Sequence, residues 1–271
     1  MKKLRFLTVS LLLIGTLGLS AIFQTPDEAG ASEKNLNVKK LDVDEFFSDH
    51  EGTFILRDMK KGRTFVYNQE RADQRLTPES TFKVPNALIG LQVEAVQDEY
   101  DIKYWDGVER EIEIWNQDHT LGSGMRHSVI WYYQAMARDI GEDRMEEWVQ
   151  KISYGNQDIS GGIDQFWLDS SLKITPLEQT EFMENLYKET LPFDKNVMNT
   201  VKQMMIQKEG DDYTLYGKTG TRLSDLGLGW YAGFIETKGR DYVFVTNVAG
   251  TGTTAKNITL DILEKYHIIA D

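Results

Sequence analysis

The placement of the strand-forming runs constrains this chain most: two lie near its start and three near its end, with a long helical stretch between. Thr53-Phe54-Ile55-Leu56-Arg57-Asp58 and Arg63-Thr64-Phe65-Val66-Tyr67-Asn68 flank Met59-Lys60-Lys61-Gly62, two β-rich runs around a glycine-bearing turn, and predict a hairpin. Tyr213 to Gly220, Gly227 to Thr237 and Asp241 to Asn247 read as three successive strands, and Ile258 to Tyr266 as a closing helix. Residues 128 to 152 and 175 to 206 read as mostly helical, with Trp131, Met136, Met145, Trp148 and Ile152 supplying apolar faces. Thr77-Pro78-Glu79-Ser80 is a helix start, continued by the apolar spacing Phe82, Val84, Leu88, Leu91 and Val93, with Pro85 in the first turn, where its missing N–H costs little. Asp44 to Phe47 reads as the end of a short helix, and Tyr104 to Trp115 as a small second hairpin around Asp106-Gly107. Strands from both ends are best satisfied in one sheet. The expected fold is a single α+β unit, a mainly antiparallel sheet flanked by helices, with the helical middle as an inserted subdomain.

The first residues form a separate object. Lys2, Lys3 and Arg5 precede an apolar or small run from Phe6 to Ala21, and Ala29-Gly30-Ala31 offers a small-residue cleavage site. The run is shorter than the roughly 20 apolar residues of a spanning helix. It reads as an export signal over residues 1–31, with cleavage after Ala21 as the rival, leaving one domain over 32–271 and no stable membrane anchor. Cleavage after Ala31 makes the formal charge one unit more negative than −13. An acidic chain of this kind lacks the basic surface that releases counterions from nucleic acid, so no nucleic-acid partner is expected. The absence of cysteine excludes disulfide scaffolds, thiol enzymes and cysteine-based zinc sites.

Chemistry enters at Ser80-Thr81-Phe82-Lys83. On a helix, residues i and i+3 share a face, so Lys83 would hold its amine beside the Ser80 hydroxyl, an activated nucleophile that needs no histidine. The pattern alone is weak, because Ser170-Ser171-Leu172-Lys173 repeats it. The residues downstream of Ser80 separate the two copies: Ser128-Val129-Ile130 stands 48 residues on, then Tyr154-Gly155-Asn156, and Lys218-Thr219-Gly220 stands 138 residues on. Neighbouring alternatives fail. Gly217-Lys218-Thr219 lacks the glycine a phosphate loop needs where Asp212 stands, no Gly-x-Ser-x-Gly elbow exists, and His50, His119, His127 and His267 show no metal-ligand spacing, so no metal is expected.

Ser-x-x-Lys, a second serine motif and Lys-Thr-Gly in this order mark penicillin-interacting serine enzymes. With Tyr154-Gly155-Asn156, Phe166-Trp167-Leu168, Tyr104-Trp105-Asp106-Gly107 and Gly229-Trp230-Tyr231-Ala232-Gly233-Phe234-Ile235-Glu236, the chain resembles the class D (oxacillinase-type) serine β-lactamases from about residue 40 to 268. The resemblance implies hydrolysis of small-molecule β-lactams through an acyl-enzyme on Ser80. It also implies a general base at Lys83 carboxylated by carbon dioxide (N6-carboxylysine), with no cofactor beyond carbon dioxide or bicarbonate. Trp167 would donate its indole N–H to the carbamate, packed with Ile130 and Leu168. Ser128 would relay a proton to the lactam nitrogen, with Lys218 supplying positive field and Thr219 a hydroxyl. The amides of Ser80 and Thr221, beside Gly220, would form the oxyanion hole, and Tyr154 and Asn156 would shape the cleft wall. The resemblance places the domain outside the cytoplasm of a bacterium: secreted, periplasmic or cell-wall associated.

Two departures stand out. The second motif ends in Ile130 where the family usually has valine, and the stretch where the family carries an arginine for the substrate carboxylate reads Thr254-Ala255-Lys256-Asn257. Arg222 and Lys256 are therefore the candidate anion anchors beside Lys218. The alternative function is a β-lactam sensor or penicillin-binding domain that is acylated without turnover. Antibiotic spectrum and oligomeric state are left open.

Overall fold

The computed structural model describes residues 42–269; the export segment expected at residues 1–31 lies outside them. After a 3-10 turn at Asp44–Phe47, the chain forms the hairpin β1 (Gly52–Asp58) and β2 (Arg63–Tyr67), then the short α1 (Gln69–Ala72). A second 3-10 turn, Glu79–Phe82, runs into α2 (Lys83–Gln92). There follow β3 (Ile102–Lys103), β4 (His119–Thr120), α3 (Leu121–Arg126), α4 (Ile130–Ile140), α5 (Glu142–Lys151), α6 (Pro176–Tyr187) and α7 (Lys195–Met204). The chain closes with β5 (Ile206–Glu209), β6 (Tyr213–Thr221), β7 (Gly229–Thr237), β8 (Tyr242–Val248) and α8 (Gly252–Lys265).

Six strands form one antiparallel sheet in the order β2-β1-β8-β7-β6-β5, so the first hairpin joins the sheet through the last strand, as the pattern of runs predicts. Strand alternation divides the core. From β7, Trp230, Ala232 and Phe234 join the larger cluster, with Phe82, Leu88, Met136 and Trp167. Tyr231 and Ile235 join the second cluster, with Phe54, Phe244 and the α8 residues Ile258, Ile262 and Leu263. The middle of the sheet is thus buried on both faces, which is why β1, β7 and β8 are so apolar. Among the described residues no helix is long and apolar enough to cross a membrane.

Two local expectations need correction, and one strand was not expected. Residues 104–115 do not pair as a hairpin; the small ladder joins Ile102–Lys103 to His119–Thr120, and the chain between is a loop with one 3-10 turn at Glu113–Trp115. Side chains meet that loop's backbone needs: the Asp106 carboxylate accepts from the Val108 amide, Asp118 from the Trp105 amide, and Asn116 bonds both N–H and C=O of Arg110. The stretch expected to be mostly helical over 175–206 is so, in α6 and α7, but the edge strand β5 that starts at Ile206 was not expected, because its polar outer residues carry no strand periodicity. The closing helix starts at Gly252, six residues before the expected Ile258, because the Thr251 hydroxyl caps it by accepting from the Thr254 amide at 3.1 Å.

Candidate active site

The Glu79–Phe82 turn lies against β6, and that approach depends on one glycine. A Cβ at Gly220 would stand 3.1 Å from the Pro78 carbonyl oxygen and 3.3 Å from the Ser80 amide nitrogen. Any side chain there would press on the turn that carries the serine, and the bare backbone of the Lys-Thr-Gly run does not.

Helical spacing then aligns Ser80 with Lys83. Lys83 Nζ donates to Ser80 Oγ at 2.9 Å, and the Lys83 side chain is fully buried. Burial pushes the Lys83 amine well below its ordinary value, and the positive charge of Lys218 pushes the same way, while Glu79 opposes both. Lys218, from β6, donates from Nζ to Ser128 Oγ at 3.0 Å and to the Thr219 carbonyl at 2.8 Å. Its amine is pushed down to about 7, by burial first and by the charge of Lys256 second. Ser128 holds a left-handed backbone (φ 56°) just before α4, which turns its hydroxyl toward Lys218. Ser80, Lys83, Ser128 and Lys218 therefore form two bonded pairs, each a hydroxyl on an amine whose charge burial disfavours.

Trp167 is fully buried and stacks on Phe82 with ring centroids 5.4 Å apart, and its indole Nε1 has no hydrogen-bond partner among the described residues. A buried orphan donor is costly and uncommon. Ile130 and Leu168 line an open cleft of about 170 Å³ together with Glu79, Asp169, Thr221, Arg222, Leu223 and Ser224. Thr221 also ties β6 to the last helix, its Oγ1 accepting from the Gly252 amide at 2.8 Å. Thr219, half-buried, pairs with Tyr231 in the ladder.

Other candidate residues stand elsewhere than expected. Tyr154 is not on the cleft wall: it is 1% exposed, packs edge-on against Phe82 and Phe182, and donates its hydroxyl to Gln179 Oε1 at 2.8 Å. Asn156 holds the 157–173 loop closed, its Oδ1 accepting from the Lys173 amide at 2.8 Å and its Nδ2 donating to the Ser171 carbonyl at 2.9 Å. Both residues brace the loop that carries Trp167. Arg222 is held by Asp225 through two bonds, at 2.8 and 2.7 Å, with Asp169 at 3.8 Å, so its charge is already matched. Lys256 lies in the first turns of α8, donates to Gln207 Oε1 at 3.0 Å and sits 5.8 Å from the Tyr231 ring centre. The repeated pattern at Ser170 and Lys173 lies in irregular chain, with Lys173 exposed.

Glu79 was not among the residues expected at the site. Its carboxyl is buried beside Ser80, accepts at Oε1 from the Thr77 hydroxyl at 2.6 Å and from the Asp169 amide at 3.1 Å, and is pushed up to about 7 by burial. Its left-handed backbone (φ 51°) leaves no mark in the sequence; a glutamate in a helix-start tetrapeptide gives the only hint.

Known proteins resemble the chain throughout this region. The penicillin binding protein transpeptidase domain matches residues 34–264. The chain is 64% identical over 269 residues to the "Probable beta-lactamase YbxI" of Bacillus subtilis (strain 168), covering 99% of each. It is 38% identical over 232 residues to "Beta-lactamase OXA-48" of Klebsiella pneumoniae, covering 82% of this chain and 87% of that one. The solved structure of "Class D beta-lactamase BAT-2" superposes with a TM-score of 0.84 at 72% identity, covering 85% of this chain and 98% of that one.

Proposed function

Because this chain belongs to the class D serine β-lactamases, we propose that it hydrolyses β-lactam antibiotics by acylation and deacylation of Ser80, with Lys83 carboxylated in the working enzyme. The observation that carries this reading is the bond between Lys83 Nζ and Ser80 Oγ, 2.9 Å, made by an amine with no exposure to solvent. An amine so buried favours its neutral form, which is the form that adds carbon dioxide. The residues present fit that group, since the fully buried Trp167 indole N–H has no acceptor among the described residues. When bound, the carboxylate supplies a general base of suitable strength for both half-reactions.

The chain's own groups do the rest. Ser80 Oγ gives its proton to the base at Lys83 and adds to the strained carbonyl carbon, the ring C–N bond breaks, and an ester on Ser80 remains; water, giving its proton to the same base, then adds to that ester, and the Ser80–acyl bond breaks as the proton returns to Ser80 Oγ. The leaving nitrogen takes a proton from Ser128, whose hydroxyl is made more acidic by the Lys218 amine donating to it at 3.0 Å. The amides of Ser80 and Thr221 receive the developing oxyanion, with Gly220 keeping the gap free of side chain. Thr219 and Lys218 hold the substrate carboxylate. Arg222 and Lys256 are second to them, because Asp225 and Gln207 already engage their charged ends. Ile130 and Leu168 restrict water in the cleft. Residues 1–31 act as a removable export signal, and the enzyme works outside the cytoplasm.

One assay tests the reading: the protein is mixed with a chromogenic cephalosporin, and colour and intact mass are followed together. Repeated turnover with only a transient mass increase is expected. A stable adduct would mean an acylated sensor or transpeptidase, and neither signal would reject the assignment of Ser80. Carbon-13 NMR with labelled bicarbonate should show a carbamate signal that is absent from Lys83→Ala.

A further inference from the structure

Glu79 precedes the nucleophile, yet no step of the proposed reaction uses it. Its carboxyl is 2% exposed, and its placement is forced, since the residue holds a left-handed backbone that costs a non-glycine residue energy. Three bonds account for the strain. The Glu79 amide donates to the Trp167 carbonyl at 3.1 Å. Oε1 accepts from the Thr77 hydroxyl at 2.6 Å on one side and from the Asp169 amide at 3.1 Å on the other. Two residues on either side of Leu168 are thus fastened to the residue before Ser80, and the one bearing the orphan indole is among them.

We propose that Glu79 is a positioning residue, a carboxylate clamp that fastens the Trp167–Asp169 segment to the Ser80 turn and releases it on protonation. The inference rests on the assignment of Ser80 and Lys83 as the reacting pair. The charged groups that face the clamp come from each element around it: Asp169 from the loop itself, Arg222 from the chain after β6, and Lys83 from α2. Burial and Asp169 favour the neutral acid, while Arg222 and the two donors favour the carboxylate, which leaves the group titrating at about 7. Proton gain weakens Oε1 as an acceptor, because a neutral carboxyl makes weaker bonds than a charged one. The bond to the Asp169 amide then loosens, and the Trp167 segment with it. The loss of negative charge also lowers the proton affinity of Lys83, so the two ionisations are linked.

The test compares wild type, Glu79→Gln, Glu79→Ala and Ser80→Ala in saturating bicarbonate, reading kcat and KM from about pH 5 to 9. The amide oxygen of glutamine still accepts from Thr77 and Asp169 but does not titrate. In Glu79→Gln the acid-side inflection of kcat should move down by about half a unit or more, while the alkaline limb that Lys218 sets should stay in place. Glu79→Ala removes the acceptor as well, so kcat should fall by about tenfold or more with a smaller change in KM. Intrinsic tryptophan fluorescence of wild type should follow the same inflection, and that of Glu79→Gln should stay flat. An unchanged inflection in Glu79→Gln overturns the clamp, as does a Glu79→Ala enzyme that is folded by circular dichroism and as active as Glu79→Gln. If Ser80→Ala still turns over substrate, the assignment of the nucleophile fails instead, which separates the two failures.

Discussion

The chain contains the same four-residue pattern twice, and the two copies differ in almost everything except their letters. Ser80 and Lys83 straddle a 3-10 turn that becomes α2, which points both side chains inward, and the amine is buried at 2.9 Å from the hydroxyl. Ser170 and Lys173 lie on a loop whose backbone is committed to Asn156, with Lys173 in water. In the proposed reaction Ser80 becomes a nucleophile through a helix that sets the distance and a core that disfavours the charge on the amine, neither of which a tetrapeptide encodes. The second copy shows how the motif reads without them: an ordinary surface loop.

The sharpest way to break this contrast is to remove each hydroxyl. Ser80→Ala should lower kcat by about 10⁴-fold or more and abolish the acyl adduct in mass spectra, whereas Ser170→Ala should change kcat by less than about twofold. The reverse result would exchange the roles of the two copies. Next come the environments of the amine. Lys83→Ala should cost about 10²- to 10⁴-fold in kcat and slow acylation as well as deacylation, the range for loss of a general base. Trp167→Ala should cost less and be partly restored by added bicarbonate, measured as the bicarbonate dependence of kcat.

Stability sharpens the contrast further, because burial of a titrating group beside Ser80 has no counterpart at Ser170. The Glu79 carboxyl is pushed up to about 7 from 4.5, so the folded protein holds this proton more tightly than the unfolded chain does. Its contribution is full below about pH 4.5 and is lost as the pH rises through about 7. Glu79→Gln should therefore gain up to about 3 kcal/mol over wild type near pH 8 and little near pH 4, read from denaturant midpoints at the two pH values. The smallest expected effect concerns cations at the rim. The charge of Lys256 helps to hold the Lys218 amine down, so Lys256→Ala should let Lys218 keep its proton to higher pH and move the alkaline limb of kcat/KM upward. Arg222→Ala should alter KM by less than about threefold, since Asp225 already balances that guanidinium.

How much of this was legible depended on how local the determining physics is. The Ser80–Lys83 pairing follows from helical spacing alone, and the β7 strand from its run of aromatic and branched residues. Tyr154 and Asn156 were visible as a motif, but their use was not, because whether a polar turn residue faces a cleft or braces a loop depends on Gln179 and Lys173, which are distant or unremarkable in sequence. The 104–118 loop misled for a related reason: Asp106, Asn116 and Asp118 supply to its backbone the bonds that a ladder would have supplied. Glu79 was invisible because its significance lies in a backbone angle and in a partner 90 residues away. The early start of α8 was within reach, since Thr251 and Thr254 have cap spacing, but glycine at the first helical position hid it.

The sheet order has a consequence for how the molecule comes into being. β1 is paired on one side with its neighbour β2 and on the other with β8, Phe54 facing Thr246, so the two halves of the sheet are joined by residues from nearly opposite ends of the described chain. The first hairpin therefore has no partner until the last strand is available, and the surface against which α6 packs, made of β1, β7 and β8, is complete only once β8 is in place. A ribosome that stops before Asp241 releases a polypeptide with Ser80, Lys83, Ser128 and Lys218 all present and no finished sheet to hold them in register. A chain cut short there keeps every one of those residues and lacks the strand that joins the first hairpin to the rest of the sheet.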